Sequence, residues 1–219
     1  MTTASHTTTT PLHNRIRLAA VLLGPGVAAA LMLPSAARAT PSEAASAIPV
    51  TSVRQVTLLT DAGHLRSRYT VARTGRGYCW TTSLVNGRLY RCFRGNYIHD
   101  PCWKESGRRS VVCLAAPWGT RVVRIRLTKR LPARDSYGPA IWGLRLGDGI
   151  GVGCRLSQGA SGAVGGKGIS YFCRRGWVLL EEPDRSTPQW TIATARWVTD
   201  RYEPRGRHHL TVAWKAVVH

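Results

Sequence analysis

Arg121-Val122-Val123-Arg124-Ile125-Arg126-Leu127-Thr128-Lys129-Arg130 decides the fold class. Val123, Ile125 and Leu127 alternate with Arg124, Arg126 and Thr128, the period of two that marks a strand with one face in a core. Leu210, Val212, Trp214 and Ala216 alternate in the same way with Thr211, Ala213, Lys215 and Val217. Trp190 to Val198, rich in Thr, Ile and Trp, reads as a third strand. Val50 to Leu59 is ambiguous, because Val50, Val53 and Val56 also fit one face of a helix. The chain holds 22 glycines, and turn residues recur at short intervals from Val50 onward. The expectation is a mainly β fold, a compact antiparallel sandwich or barrel-like domain stapled by three disulfides, forming a single domain over 50–219. Periodicity alone does not choose between sandwich and barrel.

The cysteines supply the staples. All six (Cys79, Cys92, Cys102, Cys113, Cys154 and Cys173) lie beyond residue 70, and an even number suits an oxidising compartment. Six cysteines permit 15 connectivities. Spacing favours one, in which Cys79 joins Cys92, Cys102 joins Cys113 and Cys154 joins Cys173, each closing a hairpin-like loop. Asn86-Gly87 lies midway in the first loop and predicts a type I′ turn. Lys104 to Ser110 is a polar turn in the second, and Gly159 to Gly168 a Gly-rich tip in the third. No C-x-x-C pair and no His at zinc-finger spacing accompanies them, so neither a metal nor another cofactor is expected.

The first 39 residues predict export. Arg15 and Arg17 precede an uncharged run from Leu18 to Leu33, and Ala37-Arg38-Ala39 offers a small-residue cleavage site. That apolar run is shorter than the roughly 20 residues a spanning helix needs. The expected divisions are a cleavable signal peptide over 1–39, a flexible leader over 40–49 and a secreted, extracellular domain without a membrane span.

Charge is the most unusual property. Of 31 Lys and Arg residues, Arg15, Arg17 and Arg38 belong to the expected signal peptide, leaving 28 against 11 acids and a net +17. A coding bias explains arginine in place of lysine but not the shortage of acids. Such a surface attracts anionic polymers or an acidic protein. Arg124 and Arg126 share one strand face, with Arg121, Lys129 and Arg130 at the strand ends, and alternate side chains on a strand stand about 7 Å apart. The competing reading is a charged edge that resists aggregation. Arg174-Arg175 precede Trp177, a pairing suited to stacking on bases or sugar rings.

Gly77-Tyr78-Cys79-Trp80, Arg91-Cys92, Gly95-Asn96-Tyr97-Ile98-His99-Asp100-Pro101-Cys102-Trp103, Val112-Cys113 and Pro117-Trp118 carry a resemblance. From about Gly77 to Trp190 the chain resembles a cysteine-rich extracellular domain of uncharacterised secreted actinobacterial proteins, some of which are joined to membrane-anchored kinases. The resemblance implies secretion, disulfides and a compact fold, and it implies no activity, ligand or catalytic residue.

Catalytic signatures are missing. The glycines around Gly166-Lys167 do not form a P-loop, Gly159-Ala160-Ser161-Gly162-Ala163 breaks the nucleophile-elbow pattern, and no HExxH occurs. His99-Asp100 is the one adjacent His-acid pair, read as a turn in which Asp100 caps backbone amides before Pro101. Glu181-Glu182-x-Asp184 reads as a strand end entering a turn at Pro183. These features favour a non-catalytic binding domain. The alternatives are a small ribonuclease-like or glycan-cleaving hydrolase, or an inhibitor or toxin-like factor presenting the disulfide-tied Lys104 to Ser110 loop. One continuous basic face would favour binding, whereas a cleft joining His99 to a carboxylate would favour hydrolysis.

Overall fold

Five strands, β2 (Thr70–Thr82), β3 (Tyr90–Arg94), β4 (Tyr97–Lys104), β5 (Ser110–Leu114) and β6 (Arg121–Leu127), follow one another as an antiparallel meander and close into a barrel. Closure joins β2 to β6 in parallel, as it must when an odd number of alternating strands meets end to end. The computed structural model describes residues 49–218; the expected signal peptide over 1–39, and all of the expected leader except Pro49, lie outside them.

The remaining strands make a second ring. They are β7 (Ile141–Leu146), β8 (Gly153–Leu156), the two-residue β9 (Ala163–Val164), β10 (Lys167–Cys173), β11 (Trp177–Asp184), β12 (Thr191–Val198) and β13 (Arg201–Ala216). Six of them pair in the order β7-β8-β10-β11-β12-β13, and the far half of β13 returns to pair antiparallel with β7. β9 pairs with β10, while β1 (Ser52–Val56) lies parallel along the end of β13. The ambiguous Val50 to Leu59 segment is therefore a strand over Ser52–Val56. Strand pairing of both kinds is present, and the architecture is barrel-like. Among the described residues no helix is long and apolar enough to cross a membrane.

The inward phase of β6 is the one that its alternation predicts. Ile125 and Leu127 pack inside the first barrel with Tyr90, Val111 and four cysteines, and Val123 lies against them. Disulfides Cys79–Cys92, Cys102–Cys113 and Cys154–Cys173 each join residues directly opposite on paired strands. The first two fill much of the first barrel's interior, where larger side chains would otherwise stand. A shared core joins the barrels: Trp103, Leu114 and Val122 from the first pack with Trp142, Val212 and Trp214 from the second. Trp103 and Trp142 are almost wholly buried, their rings 6.0 Å apart, and Trp103 Nε1 donates to the Val217 carbonyl at 2.9 Å.

Three turn expectations fail, one of them the turn at Pro183, because β11 runs on through Asp184 and pairs there with Thr191. Asn86-Gly87 is not a type I′ hairpin, because neither residue has the positive φ that such a turn requires. Asn86 is instead buried within a seven-residue loop, where its Nδ2 donates to the Ala216 carbonyl of β13 and its Oδ1 accepts from Arg88 N. Gly87 lies so close to Asp135 and Tyr137 that a Cβ there would approach both within 2.8 Å. His99-Asp100 is not a turn either, since both lie within β4. Asp100 does cap a backbone amide, but in the neighbouring β2–β3 loop: it accepts from Leu84 N at 3.1 Å and from the Ser83 hydroxyl. Packing, not local propensity, chose the conformations at Asn86 and Asp100.

Candidate anion-binding site

The outer face of the β2–β6 pair carries an arginine basin. Parallel register sets Thr74 beside Arg124 and Arg76 beside Arg126, while antiparallel pairing with β5 sets Ser110 beside Arg126. The short β4–β5 connection, tied at its base by Cys102–Cys113, adds Arg108 and Arg109. Its turn is held by Lys104 Nζ, which donates to the carbonyls of Glu105 and Arg108, and by Leu127 N, which donates to the Arg109 carbonyl at 2.9 Å. The resulting concavity has a volume of about 700 Å³ and is lined by Arg76, Arg108, Arg109, Arg124 and Arg126 with Thr74, Ser110 and Leu127.

One acid lies beneath these five arginines. Glu105 is 3% exposed and accepts from Arg124 Nε at 2.9 Å, from Arg124 Nη2 at 2.7 Å and from Ser110 Oγ at 2.6 Å. Burial works to raise the Glu105 carboxyl. The hydrogen bonds from Arg124 and Ser110, with the charges of Arg124 and Arg108, outweigh it and hold the group below its ordinary value. Arg124 is thus committed to a fork on Glu105 and forms a wall of the basin beside Arg126. Among the described residues Arg76, Arg108, Arg109 and Arg126 make no ion pair and leave a net positive basin.

Aromatic rings continue the same surface. Tyr78 follows Arg76 two positions along β2, and its ring stacks on Phe93 of β3 with centroids 5.7 Å apart. Trp80, 56% exposed, lies 5.8 Å from Phe93 on the other side. Cations cover two of these rings: Lys129 Nζ sits 4.4 Å above Tyr78 and the Arg91 guanidinium 5.9 Å from Trp80. Arginine, lysine and aromatic groups therefore interleave from Arg126 to Trp80.

No protein family, curated protein or solved structure matches the chain. Its site has to be read from its own geometry.

The structure separates residues that the sequence grouped together. Arg121 belongs to the inward phase of β6 and lines a different cavity, at the mouth of the first barrel, while Arg130 is exposed and lines neither cavity. Arg174 and Arg175 stand in a short 3-10 turn, Arg174–Gly176, and border a 260 Å³ recess with Trp118 and Arg145. Among the described residues neither guanidinium lies over the half-buried Trp177 ring, which meets His208 edge-on at 5.5 Å and the Arg196 guanidinium at 5.6 Å. Sequence reading also passed over Arg76, Arg108 and Arg109. The adjacent pair Arg108-Arg109 in a disulfide-tied turn was the available signal. Arg76 had none, because only the parallel closure brings β2 beside β6.

The carboxylate candidates are dispersed. Glu181, Glu182 and Asp184 pair with Lys167, Arg185 and Arg207 respectively, so they form no acid pair. His99 lines a cavity with arginines and no carboxylate, and Asp100 bonds to the neighbouring loop. Sγ atoms of Cys92, Cys102 and Cys113 lie within 4.8 Å of one another. All three are bound in disulfides, and a metal site of this kind requires thiolates.

Proposed function

We propose that this is a secreted, non-catalytic domain that binds anionic polymers through the Arg76–Arg108–Arg109–Arg126 basin. The carrying observation is that, among the described residues, four arginines without an acidic partner share one concavity, and the buried Glu105 beneath it is already taken by Arg124. Repulsion among such groups is relieved when phosphate, sulfate or carboxylate oxygens enter and counterions leave the polymer. Export is supported by the leader pattern and by three disulfides, which persist in oxidising compartments. The resemblance to secreted cysteine-rich domains points the same way.

Among anionic polymers, the exposed Trp80 ring beside the half-buried Tyr78 and Phe93 favours single-stranded nucleic acid, because a charged groove next to an exposed ring can hold backbone and a base together. Affinity for single-stranded DNA, heparin and an anionic wall polymer should be measured against salt, with disulfides intact. Steep salt dependence on all three, with the tightest binding to the single strand, supports the reading. Salt-independent binding would leave the basin as a solvated protective face.

A further inference from the structure

The first barrel has a second concavity at its open end, built from the inward phase of its strands. Gly75 and Gly77 occupy that phase on β2. A Cβ at Gly75 would lie 2.7 Å from Arg94 Cδ, and one at Gly77 would lie 2.0 Å from the Phe93 carbonyl oxygen. Gly75 thus leaves a slot in which the Arg94 stem lies, and Gly77 lets β2 approach the β3 backbone. His99 of β4 opposes Cys92 across the β3–β4 ladder, and Arg73 of β2 opposes Val123 of β6. Together with Arg121 and Tyr97 they line an open concavity of about 510 Å³.

We propose that this barrel mouth binds a compact tetrahedral oxyanion, a phosphate or sulfate group, held by Arg73, Arg94 and Arg121 with His99 at its base. Three guanidiniums from three strands converge there and no carboxylate lines the cavity. None of the three makes an ion pair among the described residues. Arg94 Nε and His99 Nε2 are buried with no hydrogen-bond partner among the described residues, a rare condition that calls for a ligand or a functional reason. Burial, and after it the charge of Arg94, holds the His99 imidazole below its ordinary value, so near neutrality it is an uncharged ring able to donate from one nitrogen. A planar carboxylate is satisfied by one arginine fork. Three forks suit an anion with oxygens in three directions.

Size follows from what lies deeper. Two disulfides with Ile125 and Val111 fill the barrel interior, so a ligand enters the mouth and no further. Tyr97, 70% exposed at the rim, can cover an ester substituent without closing the site. This site does not depend on the outer basin, because β6 presents Arg121 and Val123 to one side and Arg124 and Arg126 to the other.

Calorimetry on the whole disulfide-intact chain at low ionic strength, near neutral pH, tests the proposal with inorganic phosphate, inorganic sulfate, phenyl phosphate and acetate. Saturable one-to-one binding of phosphate or sulfate is expected, with acetate much weaker. Arg94→Met, which keeps the stem, and Arg121→Ala should each weaken it by about tenfold, as loss of a charge-assisted contact requires. Arg205→Ala, at an exposed position that lines neither concavity, should leave it unchanged. Phosphate should also move the His99 ring resonances, a readout that survives if Arg94→Met folds poorly. Tighter phenyl phosphate than inorganic phosphate would identify a monoester as the source, and equal phosphate and sulfate the shared oxyanion chemistry. Absence of saturable binding, equal weakening by Arg205→Ala and Arg121→Ala, or acetate binding as tight as phosphate would overturn it. Loss of polymer binding in basin variants with phosphate binding intact would separate failure of one reading from failure of the other.

Discussion

Arg124 meets Glu105 through two parallel hydrogen bonds, at 2.7 and 2.9 Å, beneath a basin whose other arginines have no acidic partner among the described residues. The pair fixes the β4–β5 turn against β6 and so sets where Arg108 and Arg109 stand. Removing only Arg124 strands a buried carboxylate, and Arg124→Ala should cost about 3 kcal/mol, at the low end for a buried pair because Arg124 is partly exposed. Glu105→Gln combined with Arg124→Met should recover much of that loss in urea denaturation. Additive losses would show that the pair is not coupled.

Two acids should give opposite slopes of stability against pH. Glu105 has a lowered folded value, so its stabilisation is complete above the unfolded value of about 4.3 and fades as pH falls through the folded one. Asp100 has a raised value, since burial outweighs the hydrogen bonds from Ser83 and Leu84 and the charge of Arg91. The folded state therefore keeps a proton on Asp100 after the unfolded state has lost it, and stability declines as pH rises from about 3.9 through the raised value. Denaturation of the parent, Glu105→Gln and Asp100→Asn across acid pH checks this. Glu105→Gln should reduce the acid-side loss, and Asp100→Asn should reduce the decline on the other side.

Basin charge should govern salt dependence. Arg108→Ala with Arg109→Ala should reduce the log-log salt slope on single-stranded DNA by about 1.4, roughly 0.7 for each lost phosphate contact. Thermal melting should change little, because both side chains are exposed. An unchanged slope would remove these two residues from the binding surface.

Ring stacking should separate nucleic acid from glycan. Trp80→Ala should weaken single-stranded DNA by about 1 to 3 kcal/mol, the range for one base–aromatic stack, and leave heparin almost unaffected. Equal losses on both would assign Trp80 to general packing with Phe93 and Arg91.

Asn86 should matter for stability out of proportion to its place in a loop. Asn86→Ala leaves the Ala216 carbonyl without its donor and should cost about 2 kcal/mol, the range for a buried polar group left unpaired. Measured denaturation within a few tenths of the parent would show that the loop and β13 are not joined through this side chain.

The sequence by itself determined the phase of β6, the three disulfide pairs and the excess of arginine. The excess is composition, and the first two depend on short-range order: Val123, Ile125 and Leu127 alternate because a strand has period two, and each cysteine pair lies across neighbouring strands. Tertiary structure alone decided that β2 closes beside β6 and so puts Arg76 next to Arg126. It likewise decided that Arg124 spends its fork on Glu105, that Asn86 turns inward to β13, and that Arg121 faces the barrel mouth with Arg94 and His99. Those relationships join residues far apart in the chain. A strand's pattern states which face a side chain takes, but barrel closure determines what waits there to meet it.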